Sequence, residues 1–239
     1  MQKKPLILHL ETATNVCSVA LSEGDRLLAT RESSEDRSHG TLLTLFIEEV
    51  LKEAGKKTAH LDAIAVSKGP GSYTGLRIGV SAAKGIAYAQ NIPVTGIITL
   101  QSITLTAKEN QEVQKLYQEY PDLLFCPMID ARRMEVFTAV YNDRLEETEP
   151  VSAIIVEENS FDKILHKNHV VFFGNGAEKI KGTIRHKNAH IITGIEPSAS
   201  QMVPLAIEKF LNKEFEDTAY FEPFYLKDFI ATIPKKKVL

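Results

Sequence analysis

The chain carries, between residues 69 and 79, the stretch Gly69-Pro70-Gly71-Ser72-Tyr73-Thr74-Gly75-Leu76-Arg77-Ile78-Gly79. It is preceded by a largely apolar run at 61–67, whose continuous rather than alternating pattern is typical of a strand covered on both faces. It is followed by small and apolar residues at 76–90, which predict a helix. Residues 68–75 are therefore expected to form a tight turn between a buried strand and a helix.

The glycines and hydroxyls of this stretch admit two interpretations. Glycine allows close approach of the backbone and a helix N-terminus presents free N–H groups, which together favour a phosphate. Alternatively, the glycines only turn the chain and let the helix pack closely. The stretch is not a Walker A loop, because no Lys-Ser or Lys-Thr follows its last glycine. The candidate phosphate or nucleotide loop comprises Glu11, Thr12, Gly69, Gly71, Ser72, Thr74, Gly75 and Arg77.

Upstream of this stretch, three short apolar runs predict strands joined by hairpin turns, at 6–10, 17–21 and 26–31. Ser38 is a candidate N-cap for a helix from His39 to Ala54 that ends at Gly55. Downstream, the pattern predicts a strand at 94–99 and a helix at 101–118. Strands followed by strand–helix alternation indicate an α/β fold.

A second lobe is expected to begin near Pro121. Its pattern predicts strands at 123–129, 136–141, 153–156, 169–173 and 189–192, and a short helix at 161–166. A last helix, 199–211, begins at a Ser198 cap. The predicted division is a first lobe of residues 1–118, a second lobe of 119–198 and a C-terminal tail of 214–239, with the helix at 199–213 packing back on the first lobe.

The composition excludes several classes of protein. With 44% hydrophobic and 25% charged residues, the chain is neither disordered nor collagen-like. A formal net charge of −3 argues against a protein that holds nucleic acid unaided. Polar residues and Pro93 interrupt the uncharged stretch 85–107, which argues against a membrane span. Cys17 and Cys126 lie beside apolar residues and predict buried free thiols in a reducing compartment, the cytoplasm.

Two helices suggest a surface for a partner. The apolar residues of the helix at 39–54 cover about half of its circumference, whereas a helix on one sheet needs only a stripe of about 100°. The helix at 76–90 has small residues all round, which indicates burial or close packing against another helix. Burial inside the domain explains this second helix equally well. The candidate partner-binding face comprises His39, Leu42, Leu43, Phe46, Ile78, Ala82 and Ile86.

No catalytic or metal-binding residue is predicted from the residue pattern. His186 and His190 have the i, i+4 spacing that can bind a metal on a helix, but a strand-like run follows them. Zinc-type cysteine pairs and the Gly-x-Ser-x-Gly motif are absent from the sequence. Asp130, Arg132 and Arg133 are interpreted as a surface ion-pair cluster.

Several motifs together resemble the TsaB (YeaZ) family. They are Leu10-Glu11-Thr12-Ala13-Thr14, Cys17-Ser18-Val19-Ala20-Leu21, the stretch at 69–79, Met128-Ile129-Asp130-Ala131-Arg132 and Glu222-Pro223-Phe224-Tyr225-Leu226. The resemblance covers essentially the whole chain. It implies a two-lobe actin/Hsp70/sugar-kinase-like (ASKHA) α/β fold, in which each lobe is a ribonuclease-H-like mixed sheet with helices.

The resemblance also implies a function. The chain is expected to be a non-catalytic scaffold subunit of the bacterial complex that transfers a threonylcarbamoyl group to N6 of adenosine 37 in tRNA that reads ANN codons. The implied partners are a TsaD-like catalytic subunit and a TsaE-like ATPase. A homodimer through the same helical face is expected when the TsaD-like subunit is absent, and tRNA is expected to bind only through the complex.

The resemblance implies no cofactor of the chain's own. The catalytic subunit of the family holds a metal with a His-x-x-x-His pair, which would fall near Thr99 and Ile103 here, where no histidine stands. The metal is therefore expected on the partner, and a nucleotide, ATP or ADP, at the interface of the complex. Position 11 is Glu where the family usually has Asp, and the longer side chain would sit differently in a nucleotide cleft.

An alternative is an independent nucleotide-dependent phosphotransferase of the same fold. Glu11 would be its acid, and residues 69–75 would be its phosphate loop. A protease is disfavoured because the sequence offers no recognisable pair of nucleophile and base. Whether the chain has any activity alone stays open at this point.

Overall fold

The computed structural model describes residues 4–34 and 39–227. The candidate cap Ser38 and the tail residues 228–239 lie outside the described residues. Within the described part, no helix is long and apolar enough to cross a membrane. Cys17 and Cys126 are both free and buried, as the sequence predicted.

The first sheet is five-stranded and opens with the predicted antiparallel meander. Its order is β3-β2-β1-β4-β5, with β4 parallel to β1 and β5 parallel to β4. All six residues of β1 are buried, since helices cover both faces of the sheet. The strands are β1 (Leu6–Glu11), β2 (Cys17–Glu23), β3 (Arg26–Ser33), β4 (Ala63–Gly69) and β5 (Val94–Ile98).

The second sheet repeats the connectivity of the first. Its order is β8-β7-β6-β9-β10, in which β6, β7 and β8 form an antiparallel meander and β9 and β10 continue in parallel. Two ribonuclease-H-like mixed sheets confirm the two-lobe α/β fold. The strands are β6 (Leu124–Asp130), β7 (Glu135–Tyr141), β8 (Glu147–Ile155), β9 (Val170–Phe173) and β10 (Ala189–Ile191).

The helices cover both faces of each sheet. One face of the first sheet packs on α1 and α2, and the other on a 3₁₀ turn at Ala199–Met202 and α6. The second sheet packs on α3 and α4 on one face and on α5 on the other. The helices are α1 (His39–Glu53), α2 (Tyr73–Gln90), α3 (Thr99–Glu109), α4 (Gln111–Glu119), α5 (Asp162–Leu165) and α6 (Val203–Leu211).

Three element boundaries differ from the sequence prediction. The turn at 68–75 is shorter, because β4 continues through Gly69 and α2 begins at Tyr73, where the Ser72 hydroxyl accepts a hydrogen bond from the Gly75 N–H. The helix predicted at 101–118 is two helices that meet at Asn110, whose side chain caps α4. β8 is nine residues long and begins well before Ala153.

One segment, α3, packs across the predicted division of the chain, whereas the segment from Ala199 lies on the lobe to which the sequence analysis assigned it. Leu100, Ile103 and Ala107 of α3 belong to the hydrophobic core of the second sheet, although they precede residue 119. Their i, i+3, i+7 spacing places them on one helix face, which the aromatic side chains of the second sheet bury. The helical segment from Ala199 packs on the first sheet, through Ala199, Met202 and Ala206.

The C-terminal segment, residues 214–227, runs along the first lobe and reaches the second. Glu216 N–H donates to the Val94 carbonyl, and the Phe221 side chain is buried in the first core. Farther on, Phe224 N–H donates to the Lys68 carbonyl, and Lys227 pairs with Glu135 of β7. The segment therefore touches both sheets.

Candidate functional site

The turn after β1 and the glycine-rich stretch meet at one edge of the first sheet. The Thr12 hydroxyl donates to the Gly75 carbonyl at 2.8 Å, and Thr12 N–H donates to the Ser67 hydroxyl at 3.3 Å. Ser72 N–H donates to the Ala13 carbonyl at 2.7 Å. The structure thus brings together members of the predicted loop that lie about sixty residues apart in the chain, as the Thr12–Gly75 bond shows with a separation of 63.

The turn after β1 approaches Gly71 and Gly75 so closely that a side chain at either position would not fit. A Cβ at Gly71 would overlap the carbonyl oxygen of Ala13, and a Cβ at Gly75 would overlap that of Thr12. The free N–H groups before α2 are partly used by the chain itself, since Ser72 donates to Ala13 and Gly75 to the Ser72 hydroxyl. At these two positions the glycines allow close packing, which is the second of the two interpretations that the sequence admitted.

Glu11 lies at the end of β1 and is fully buried, with no exposed surface. One carboxylate oxygen accepts a hydrogen bond from Ala13 N–H at 2.7 Å, and the other has no partner. Burial raises the pKa of Glu11 to about 7, against the opposing effect of hydrogen bonds from Ala13, Ser67 and Thr12. The side chain is therefore poorly placed to meet a ligand from solvent.

The C-terminal segment covers two further members of the predicted loop. Gly69, with φ of +116°, lies under the Phe224 carbonyl. Arg77 donates to the Tyr225 hydroxyl at 3.2 Å, and its guanidinium lies 4.5 Å from the centre of the Tyr73 ring. Thr74 is exposed in the first turn of α2.

Tyr73 and Tyr225 are neighbours of this site that the residue pattern did not single out. Their ring centres lie 5.0 Å apart, and Arg77 contacts both residues, with its guanidinium over the Tyr73 ring and its Nε donating to the Tyr225 hydroxyl. Tyr73 stands within the glycine-rich stretch, and Tyr225 stands within the last of the motifs that carry the family resemblance. Those motifs were the only signal that could have joined the two.

The predicted partner-binding face divides into buried and accessible parts. Leu42, Leu43 and Phe46 are buried in the first core, with Leu43 only 1% exposed. The His39 ring donates to the Thr14 carbonyl at 2.8 Å. The accessible part is a half-buried stripe along α2, which packs against the core that α1 closes: Ile78, Ala82 and Ile86.

His186 and His190, whose spacing can bind a metal on a helix, each contact another histidine. His190 lies in β10, and its Nε2 is 3.0 Å from Nδ1 of His169. His186 meets His166 edge to face. Among residues 4–34 and 39–227, no three His, Cys, Asp or Glu side chains are grouped so that they could hold a metal ion.

Thr99 and Ile103 are both fully buried at the start of α3. They occupy the positions at which the resemblance places the metal-binding histidines of the catalytic subunit. Ile103 packs in the second core, and its Cδ1 lies beside Gly174. An apolar Ile side chain has no atom that can ligate a metal.

Known proteins resemble this chain over nearly its full length. The family model of TsaD, tRNA N6-adenosine threonylcarbamoyltransferase, matches residues 26–235. The tRNA threonylcarbamoyladenosine biosynthesis protein TsaB of Escherichia coli is 26% identical over 231 residues, which are 94% of this chain and 96% of that protein.

A transferase and a solved structure extend the comparison. The tRNA N6-adenosine threonylcarbamoyltransferase of Bacillus anthracis is 35% identical over 113 residues, which are 41% of this chain and 33% of that protein. The structure of YeaZ from Pseudomonas aeruginosa superimposes with a TM-score of 0.76 at 25% identity, over 93% of this chain and 100% of that one. The chain therefore belongs to the tRNA N6-adenosine threonylcarbamoyltransferase family, within its TsaB (YeaZ) group.

Proposed function

We propose that the chain is the non-catalytic partner subunit of the complex that makes threonylcarbamoyladenosine in tRNA. The observation that carries this proposal is the similarity to a TsaB protein over 94% of the chain and 96% of that relative. The chain takes part in threonylcarbamoyladenosine biosynthesis together with a TsaD-type transferase. The transferred group goes to N6 of adenosine 37 in tRNA that reads ANN codons.

The non-catalytic assignment is supported by the start of α3. A metal that activates a threonylcarbamoyl donor needs side chains with lone pairs, and Ile103 offers none. Thr99 and Ile103 are also without solvent contact. The catalytic metal is accordingly assigned to the transferase subunit, and a nucleotide, ATP or ADP, to the interface of the complex.

The pairing surface is assigned to the accessible stripe of Ile78, Ala82 and Ile86 on α2, with the exposed side of α1. Half-buried apolar side chains on a rigid helix supply area that a second helix can cover. The exposed Leu45 side chain, 46% accessible on α1, adds apolar surface on the neighbouring helix. A second copy of the chain would use the same surface when the transferase is absent.

The remaining partners follow from the same assembly. A TsaE-like ATPase is assigned to the complex, and tRNA reaches this chain only within it, since the chain has a net charge of −3. The protein is assigned to the cytoplasm. The phosphotransferase alternative finds no support in the geometry, because its acid, Glu11, is fully buried and its phosphate loop packs on Thr12 and Ala13.

The pairing surface is tested with Ala82→Arg. The added guanidinium would enter the apolar stripe between Ile78 and Ile86, and we expect co-elution with the TsaD-type transferase to be lost. Leu43→Glu is a poor choice, because Leu43 is buried and a charge there would unfold α1. Gln118→Arg, on the exposed side of α4 in the second lobe, adds the same side chain away from the surface and should leave co-elution intact.

Modification assays complete the test. We expect threonylcarbamoylation of tRNA by the transferase to require this chain and to fail with Ala82→Arg. Circular dichroism and thermal unfolding of Ala82→Arg must match those of Gln118→Arg for the comparison to count. Unchanged co-elution of the folded Ala82→Arg protein would refute the assignment of the surface.

A further inference from the structure

A tight turn joins β6 to β7 in the second lobe and carries two arginines at its tip. We call residues 131–134 the arginine turn. Two consecutive residues of this turn have positive φ, 72° at Arg132 and 49° at Arg133. Ala131 N–H donates to the Glu135 carbonyl, and Glu135 N–H donates to the Arg132 carbonyl. Positive φ favours Gly and Asn, so two long cationic side chains stand where the backbone disfavours them.

The base of the arginine turn is held rigidly. One Asp130 carboxylate oxygen accepts hydrogen bonds from Arg132 N–H and from the Lys179 ammonium, both at 2.5 Å. Asp130 N–H donates to the Asn175 side chain at 2.8 Å, which ties the turn to the loop after β9. A rigid base presents the two arginine side chains from a fixed position.

The acidic groups at the turn are already paired with lysines. Asp130 pairs with Lys179, and Glu135 pairs with Lys227 of the C-terminal segment. Neither Arg132 nor Arg133 forms an ion pair or a side-chain hydrogen bond within the part of the chain that the structure describes, and both are exposed. Among residues 4–34 and 39–227 no carboxylate forms an ion pair with these two guanidinium groups, which corrects the expectation that Asp130 forms surface ion pairs with Arg132 and Arg133.

We propose that the arginine turn binds phosphate groups of the tRNA backbone when the chain is part of the modification complex. This proposal rests on the proposed function. Guanidinium is planar and binds phosphate through two parallel hydrogen bonds, and such contacts position a nucleic acid without reading its sequence. Two contacts are too few to hold tRNA on a chain of net charge −3, which is consistent with binding only within the complex.

The position of the turn favours RNA over a protein ligand. The pairing surface proposed above lies on α1 and α2 of the first lobe, whereas the arginine turn belongs to the second sheet. Its cations are thus not needed for the contact with the transferase. An acidic protein surface remains as a distinct outcome of the test.

The test replaces both arginines by residues that tolerate positive φ, Arg132→Asn with Arg133→Gly. This change removes the two charges and relieves the conformational cost of positive φ at both positions. The probe is an unmodified in vitro transcript of a tRNA that reads ANN codons, titrated with the purified complex of this chain and the transferase at several salt concentrations. We expect about tenfold weaker binding at moderate salt, and a slope of log K against log salt less steep by about 1 to 2.

The control removes the same charge elsewhere on the second lobe. Arg144→Gln with Arg185→Gln alters two exposed arginines, one in the β7–β8 turn and one before β10. We expect this variant to bind the transcript with the affinity and salt slope of the unaltered complex. Co-elution with the transferase is measured first for all three proteins.

Each outcome decides the proposal. Unchanged affinity and salt slope in the Asn-Gly variant would overturn it. Loss of co-elution by the Asn-Gly variant would also overturn it, and would assign the turn to a carboxylate of the transferase. Failure of the unaltered chain to co-elute is a separate result: it overturns the proposed function and, with it, the present proposal.

Discussion

Strand β1 carries two ionisable side chains, His9 and Glu11, that have no contact with solvent. Burial lowers the pKa of His9 from 6.5 to about 3 and raises the pKa of Glu11 from 4.5 to about 7. Each shift disfavours the charged form, and each makes stability depend on pH. The Glu11 shift makes the protein less stable as pH rises, whereas the His9 shift makes it less stable as pH falls.

The sign follows from which state holds the proton. Folded Glu11 keeps its proton up to about pH 7 while the unfolded chain loses it near 4.5, so its contribution to stability is lost as pH rises through 7. Unfolded His9 takes up a proton below 6.5 while the folded form resists it, so its contribution is lost as pH falls. Above pH 6.5 His9 is largely neutral in both states, so of these two side chains only Glu11 still makes the free energy of unfolding depend on pH.

We predict that Glu11→Gln removes the loss of stability at neutral and alkaline pH. Glutamine keeps an oxygen for Ala13 N–H but carries no ionisable proton. Relative to the unaltered protein, the free energy of unfolding of the variant should rise by about 3 kcal/mol between pH 5 and pH 8. Urea unfolding at half-unit steps of pH measures this difference. Parallel pH profiles of the two proteins would refute the assigned pKa.

Helix α2 contains glycines that serve different purposes, and a matched pair of substitutions separates them. Gly75 faces the Thr12 carbonyl, whereas a Cβ at Gly85 would meet nothing within 4 Å. We predict that Gly75→Ala destabilises the protein by about 2–3 kcal/mol through overpacking. Gly85→Ala should stabilise it by about 0.5–1 kcal/mol, because alanine favours the helix interior. Thermal unfolding of both variants checks the prediction, and equal shifts of Tm would contradict it.

The sequence predicts the buried elements best. β1 and β5 were placed within one residue, and β4 within two, because continuous apolar runs bounded by turn residues leave few alternatives. β8 was found only in part. It lies at a sheet edge, where Glu147, Thr148 and Pro150 are exposed and no apolar pattern is needed.

The hydrophobic periodicity of the sequence does not reveal the junction of α3 and α4, for a different reason. Asn110 ends one helix and caps the next, accepting hydrogen bonds from Glu112 and Val113 N–H groups. Asparagine favours caps and turns but can also stand within a helix, so the periodic pattern alone predicts one helix. The residue types of the glycine-rich stretch likewise predicted a close approach, but nothing local identifies Thr12 and Ala13 as the groups that approach.

At the scale of the whole molecule, the two lobes share one sheet order but exchange chain segments. The apolar face of α3 reveals that it packs on a sheet, but not on which sheet. The segment from Ala199 onward crosses back to cover Ile7 and Ala63 of the first sheet, and Phe221 closes the other face. The first lobe is thus discontinuous in sequence, while residues 119–198 supply all five strands of the second sheet.

We predict that a chain ending at residue 198 keeps the second lobe and loses the first. Without Met202 and Ala206, the face of the first sheet that carries Ile7 and Ile97 would be bare. Hydrogen exchange should show protected amides in β6 and β9 and rapid exchange in β1 and β4 of the truncated chain. Full-length protein is the control. Protected β1 amides in the truncated chain would contradict the prediction.

The same discontinuity sets an order of events on the ribosome. The first lobe is synthesised first but finishes folding last. One face of its sheet is covered only after Ala199, Met202 and Ala206 have left the exit tunnel. Until then α1 and α2 rest on a sheet with one uncovered face, and the surface proposed for the transferase has no firm support. Assembly is consequently expected only after residues 199–206 have emerged, so that shorter nascent chains do not capture transferase subunits.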